Sequence, residues 1–213
     1  MKTILAFGDS LTFGHDMATG ARHAYEDRWP TVLEQGLGGK ARIVIDALNG
    51  RTTAFDDYTE RTERNGAKLL ATTLSANDPL DAVIIMLGTN DLKPFIAGTA
   101  KGAAAGMRRL VDIVRTHPFA GKPRERKLLI VSPPHCGPSD EQGGLPAQDR
   151  SIAESQKLAG LYRTIADEAD AGFFDADGVA SVLRVDGVHL DAANTRAIGS
   201  ALVPVVTELL GLE

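Results

Sequence analysis

Apolar residues gather in five short runs along the chain: Thr3–Phe7, Ile43–Ala47, Ala82–Leu87, Leu128–Ser132 and Gly172–Asp175. Each has the length of a β-strand. The run Ala82-Val83-Ile84-Ile85-Met86-Leu87 is apolar at every position. That is the pattern of a strand buried on both faces, as in a parallel sheet covered by helices. Between the runs the apolar period lengthens. Trp29, Val32, Leu33 and Leu37 recur at helical spacing, and Pro30 suits a first turn. Ala100 to Thr116 carries Met107, Leu110, Val111 and Val114 on one side. Ile152 to Ala169 does the same with Leu158, Leu161, Ile165 and Ala169, and Ala192 to Leu210 closes the chain. Pro204 predicts a kink or a restart in that last helix. Strands alternating with helices predict an α/β fold, a three-layer sandwich with a five-stranded parallel sheet and helices on both faces. Two stretches read as long loops, Gly14–Asp27 and Pro133–Gln148, the second with four prolines and three glycines. Both follow strand or motif ends, where such sheets build their sites.

Composition narrows the class. The chain has 213 residues, 43% of them hydrophobic, enough for one domain over 1–213 with a sizeable core. A net charge of -5 argues against nucleic acid as a partner. A lone cysteine, Cys136, excludes an internal disulfide framework and suits a reducing compartment. The apolar run after Lys2 is too short for a signal peptide, and no run reaches membrane-spanning length. A cytoplasmic protein without a membrane partner is expected. The histidines are scattered and no His-Glu-x-x-His or cysteine cluster is present, so neither metal nor cofactor is expected.

The candidate chemistry falls at strand ends. Gly8-Asp9-Ser10-Leu11 follows the first run, and Asp186-Gly187-Val188-His189 precedes the last helix. A serine at a strand-to-turn junction presents its hydroxyl. A histidine three residues after an aspartate can take that hydroxyl's proton while the carboxylate orients the ring. Gly88-Thr89-Asn90-Asp91 follows the all-apolar run, where the Asn90 amide could face a developing oxyanion. Simpler roles compete. A Gly-Asp-Ser turn alone is commonly a helix N-cap, Asp9 reads as structural, Asn90 as a turn residue and Asp91 as a helix cap. Asp175 and Asp177 are rival carboxylates without a histidine at short spacing. Arg51, Arg61 and Arg64 read as surface or interface charges, Trp29 as a packing residue, and His15, His23 and His117 as ordinary polar residues. A phosphate-binding loop over Gly8 to Gly14 lacks the Walker lysine, and Asp9 would repel phosphate.

Taken together these blocks resemble the SGNH (GDSL-type) hydrolases, whose four named residues match Ser10, Gly50, Asn90 and His189, with Asp186 as the partner aspartate. The resemblance spans almost the whole chain. The wider context is more specific: Phe7-Gly8-Asp9-Ser10-Leu11-Thr12, Asp27-Arg28-Trp29, Asn49-Gly50-Arg51-Thr52-Thr53 and Ile85-Met86-Leu87-Gly88-Thr89-Asn90-Asp91. It is similar to the arylesterase and acyltransferase branch, which includes carbohydrate acetylesterases and is often oligomeric. The resemblance implies a flavodoxin-like SGNH sheet and a catalytic Ser10–His189–Asp186 triad. It implies an oxyanion hole from the Ser10 and Gly50 backbone N–H groups and the Asn90 side chain. It also implies short acyl groups, a small ester substrate and a homo-oligomer. Phe13 stands where the better-known acyltransferases carry tryptophan, which favours hydrolysis over acyl transfer to alcohols. Leu11, Phe13, Phe95, Ile152 and Val188 suggest an apolar pocket rim, His135 a lining residue, and the Pro133–Gln148 loop a pocket wall. The alternatives are a non-catalytic ligand-binding or interaction domain on the same fold, and a lysophospholipase- or thioesterase-type hydrolase.

Overall fold

The computed structural model describes residues 1–118 and 126–212. Five strands, β1 (Lys2–Gly8), β2 (Ala41–Ala47), β3 (Ala82–Met86), β4 (Lys127–Ser132) and β5 (Gly172–Asp175), form one sheet in the order β2-β1-β3-β4-β5. Every pairing is parallel, so all five strands end at the same edge. From β1 the chain winds one way to β2, then crosses to the opposite side for β3. The strand order therefore reverses between β1 and β3, where open α/β sheets leave a crevice for ligands. This is the predicted three-layer α/β architecture.

Side chains two residues apart on a strand share a face, and the sheet's two cores follow that period. Leu5, Phe7, Val83 and Ile85 point to one face. There they meet Leu70 and Leu74 of α3 (Gly66–Asn77), Met107 and Leu110 of α4 (Ala100–Thr116), and Leu158, Tyr162 and Ile165 of α6 (Leu158–Glu168). Ile4, Ala6, Ile84 and Met86 point to the other. They meet Trp29 and Leu33 of α2 (Trp29–Gly36), and Ile198, Leu202 and Val206 of α7 (Ala192–Leu210). Burying one such aliphatic side chain is worth roughly 1.5–3 kcal/mol, so both helical layers are held mainly by this contact.

Three expectations change. The pattern between β2 and β3 gave no helix, yet α3 forms there, capped by the Asn65 side chain accepting from Ala67 N at 3.0 Å. The predicted Ile152–Ala169 helix is two, α5 (Ile152–Ser155) and α6, joined by a turn at Gln156–Lys157. Ser155 Oγ donates to Ile152 O and accepts from Cys136 N, which fastens the joint to the loop after β4. The last helix runs unbroken through Pro204. Pro204 and Ser200 are both exposed, so the Ser200 carbonyl that loses its helical partner can bond water.

Candidate active site

Ser10 leaves the end of β1 as the first residue of α1 (Ser10–Phe13). Asp9 makes the cap: its Oδ1 accepts from Leu11 N at 3.0 Å. Its other oxygen accepts from Asn90 Nδ2 at 3.2 Å, so Asp9 ties the β1 end to the β3 end and does not face the reacting position. Burial is the main influence on this carboxyl and raises it to about 6, against the pull of the Leu11 N–H and the charges of His189, Arg150 and Arg51.

The chain's far end supplies the partner of this hydroxyl. His189 Nε2 lies 3.0 Å from Ser10 Oγ, across 179 residues of sequence. His189 Nδ1 lies 2.5 Å from Asp186 Oδ2. The other Asp186 oxygen accepts from the backbone N–H groups of Val188 and His189, each at 3.0 Å. Asp186 is 3% exposed. Burial pushes its carboxyl upward, but the His189 ring and backbone hydrogen bonds, the His189 charge and the Val188 N–H outweigh it and hold it at about 2. Asp186 thus stays ionised over any ordinary working pH. The rival Asp177 faces elsewhere and pairs with His135, Oδ2 to Nδ1 at 3.1 Å.

Gly50 sits in a turn closed by Arg51 N donating to Leu48 O at 3.0 Å. Its φ of 80° belongs to the left-handed region that glycine enters without cost. Asn90 follows β3 and is 3% exposed. Its Nδ2 donates to Arg51 O at 3.0 Å as well as to Asp9, and its Oδ1 accepts from Arg150 Nη2 at 2.8 Å. Asp91 caps no helix. Instead it takes the Thr53 N–H at 3.0 and 3.1 Å and the Thr53 hydroxyl, and so holds the segment after Gly50 against β3.

These groups meet at one cavity of about 340 Å³, lined by Ser10, Gly50, Asn90 and His189 together with His15, Asn49, Glu60, Arg64, Lys93, Gln148 and Arg150. Sequence reasoning missed most of this wall. His15 packs its ring edge against His189 with centroids 4.8 Å apart. Arg64, expected at the surface, reaches the cavity and pairs with Glu60 at 2.9 Å. Arg51, also expected at the surface, is 3% exposed, lies 4.1 Å over the Phe7 ring and pairs with Asp46 at 2.6 Å.

None of the six pocket candidates lines that cavity. Leu11 and Val188 are only 3% and 2% exposed and fill the interior beneath their motifs. Phe13 lies under the Arg22 guanidinium at 3.9 Å. Phe95 is 53% exposed, with Lys93 Nζ 5.6 Å from its ring centre. Ile152 packs on the α4–α6 core, and His135 is turned to Asp177. Their apolar surface is satisfied by core or surface packing, which a linear pattern does not separate from a rim. The Pro133–Gln148 loop likewise packs mostly away from the cavity. It bonds to the 183–189 segment through Gly137 N to Gly187 O at 2.9 Å, Asp140 N to Arg184 O at 2.7 Å and Ala147 N to Asp186 O at 2.8 Å. Only Gln148 of this loop reaches the cavity wall.

Cys136 is 3% exposed, and burial pushes its thiol up to about 11, which disfavours the reactive thiolate. Among the described residues no cluster of three or more His, Cys, Asp or Glu side chains is placed to hold a metal. No described helix is long and apolar enough to cross a membrane.

Known proteins share this arrangement of chain. No curated protein matches the sequence. Among solved structures, a carbohydrate acetylesterase family member from Sinorhizobium meliloti is 49% identical, with a TM-score of 0.94 and 100% of each chain covered. A protein from Agrobacterium tumefaciens strain C58 is 55% identical, with a TM-score of 0.94, over 99% of this chain and 100% of the other. The aryl esterase of M. smegmatis is 39% identical, with a TM-score of 0.89, over 99% and 100%. A family model matches residues 6–196, from the strand before Ser10 to the helix after His189, and the chain belongs to the GDSL-like lipase/acylhydrolase family.

Proposed function

We propose that this acylhydrolase is a serine esterase that removes short acyl groups, acetyl above all, from hydroxyl-rich alcohols such as carbohydrates. The observation that carries the reading is the cavity wall beside Ser10. Apart from Gly50 its lining side chains are polar or charged, with no aliphatic residue and no aromatic ring beyond two imidazoles. A long acyl chain would find no aliphatic or aromatic hydrocarbon side chain to pack on there, whereas a polyol would find donors and acceptors in Asn49, Glu60, Arg64 and Gln148. The S. meliloti carbohydrate acetylesterase and the M. smegmatis aryl esterase point to the same reaction class.

Ser10 Oγ attacks the ester carbonyl as His189 Nε2 takes its proton. Asp186 holds the ring in the tautomer that leaves Nε2 free to accept, and stabilises the imidazolium that forms. The carbonyl electrons move onto oxygen, to which the Ser10 and Gly50 N–H groups and the Asn90 amide would donate hydrogen bonds. Ser10 N–H opens a helix, where backbone donors lack an intrahelical partner. The Asn90 amide would share an N–H now held by Asp9 or Arg51 O. The intermediate collapses, His189 returns its proton to the leaving alcohol, and the acyl group stays on Ser10. Water, deprotonated by His189, then releases the acid. The apolar residues that would shelter an alcohol acceptor lie outside the cavity, so hydrolysis is favoured over transfer. A cytoplasmic location, expected from the lone cysteine and the short first apolar run, and self-association, implied by the resemblance, stay part of this reading; light scattering of the purified protein checks the second.

The deciding experiment is a nitrophenyl ester series from acetyl to dodecanoyl, run beside acetylated xylo-oligosaccharides. kcat/KM should be highest for acetyl, and the oligosaccharide should be deacetylated by the native chain and not by Ser10→Ala. Faster turnover of octanoyl than acetyl esters would reject the polar-cavity argument.

A further inference from the structure

We infer that Arg150 positions and polarises the Asn90 carboxamide as an oxyanion donor, building on the serine-esterase reading above. Arg150 lies outside the four motif blocks, two residues beyond the Pro133–Gln148 loop. It is 5% exposed, lines the cavity and reaches the segment that follows β3. Its guanidinium spends three donors there: Nε on Thr89 O at 3.0 Å, Nη2 on Asn90 Oδ1 at 2.8 Å and Nη1 on Ala147 O.

The first consequence is which way Asn90 points. An asparagine side chain can rotate to exchange its oxygen and nitrogen. Arginine has only donors, so rotation would set an NH2 against a guanidinium. It would also set the amide oxygen against the Arg51 carbonyl and the Asp9 carboxyl. One orientation satisfies every group: Oδ1 to Arg150, Nδ2 to Arg51 O and Asp9. The second consequence is electronic. A cationic donor on Oδ1 draws charge from the amide and makes its N–H groups stronger donors. A third follows from the fixed charge. Asp9 sits beside Asn90 and would oppose negative charge growing on the substrate oxygen. A buried guanidinium next to the same amide offsets that field, and the Arg150 charge already lowers the Asp9 carboxyl.

The backbone leading to Arg150 carries an independent sign. Gln148 and Asp149 both hold left-handed conformations, with φ of 56° and 55°. Neither is glycine, so each holds a strained backbone conformation. Ser151 then caps α5. Two successive strained residues turn Arg150 inward at the point where the loop meets the site.

The test is kinetic coupling. Arg150→Met should lower kcat for an acetyl ester roughly 10–100-fold and change KM by less than about threefold, because the lost interaction acts on the transition state. In an Asn90→Ala background the same substitution should cost no more than about twofold, since there is no carboxamide left to position. Arg150→Lys keeps the charge but not the fork and should fall between Met and the native residue. Stoichiometric labelling by a fluorophosphonate, at a slower rate, verifies that each variant is folded with Ser10 competent. An arginine that only anchors the loop predicts a different result: equal losses with and without Asn90, accompanied by a rise in KM. That result, or native kcat in Arg150→Met, overturns the inference. Should Arg150→Met fail to fold, the Arg150→Lys cycle with Asn90→Ala decides by the same criterion. Full activity in Ser10→Ala would instead overturn the esterase reading beneath it.

Discussion

The imidazole of His15 meets the His189 ring edge-on, with centroids 4.8 Å apart and planes at 65°. Burial lowers the His15 pKa and the His189 charge adds to that, against Asp186 and Asp16. His15 therefore sits neutral beside a ring that becomes cationic during each proposed proton transfer. A permanent charge there would oppose that step. At about 5 Å two like charges cost roughly 1–3 kcal/mol at the effective dielectric of a partly exposed site. His15→Lys should lower kcat about 10–100-fold, while His15→Phe, which keeps an uncharged ring, should stay within about threefold of native. Steady-state kinetics on an acetyl ester check both. A lysine variant as fast as the native chain would show that His15 does not influence His189.

Asp186 binds the ring with one oxygen and two backbone N–H groups with the other, so its loss removes orientation and charge together. Asp186→Asn presents an NH2 to His189 and favours the wrong tautomer, which lowers kcat on the order of 10⁴-fold in triads of this type. Its carboxyl is depressed to about 2 from 3.8. Its contribution to stability is thus fully present above pH 3.8 and is lost as pH falls through about 2. The acidic limb of kcat/KM must come from another group. A limb centred near pH 2, or an Asp186→Asn variant retaining a tenth of native kcat, would contradict this assignment.

Asp91 carries the opposite sign. Burial raises it to about 7, opposed by the Thr53 hydroxyl and N–H, and the Asp9 charge adds to the rise. Between pH 3.8 and about 7 the folded chain keeps a proton there that the unfolded chain has released. Stability from this group is therefore greatest below pH 3.8 and declines as pH rises to about 7. Asp9, raised to about 6, acts in the same direction. Asp91→Asn keeps the shape and removes the titration. The thermal midpoint of the native chain should fall relative to that variant by roughly 4–10 °C from pH 5 to pH 8. Parallel curves would show that Asp91 does not titrate in this window.

The strands were legible because a parallel sheet covered on both faces needs nearly continuous apolar runs, and Ala82–Leu87 is one. The α2 and α4 helices were legible for a related reason, since Leu33, Met107 and Leu110 mark a narrow apolar stripe. The α3 helix was not: it begins at Gly66, carries Thr72, Thr73 and Ser75, and buries little beyond Leu70 and Leu74. Sheet contact overrides its weak local preference. Ser10, Asp186 and His189 stood out because short spacings and strand ends place them. Arg150, His15 and Arg64 did not. They enter the cavity through loop geometry that brings together residues with no regular spacing, and their neighbours in sequence give no sign of it. The pocket candidates lie outside the cavity for the reverse reason: apolar residues beside a motif serve the core under it as readily as the cavity above it.

Lys93 and Asp57 form a salt bridge at 3.0 Å with side chains only 2% and 0% exposed. Asp57 also accepts from Thr59 N at 3.0 Å and from its hydroxyl at 2.5 Å. The pair joins the segment after Asn90 to the 48–65 segment that carries Gly50, Glu60 and Arg64, so it holds two walls of the cavity together. Removing one partner leaves a buried charge alone, which costs about 3–5 kcal/mol; removing both for apolar groups of similar size is far cheaper. Lys93→Met should therefore be markedly less stable than Lys93→Met/Asp57→Leu in urea denaturation. The single variant should also raise KM more than it lowers kcat, because Glu60 and Arg64 shift while Ser10 and His189 do not. Two substitutions whose costs simply add would mean that the charges do not stabilise one another, and that the cavity walls are joined by other contacts.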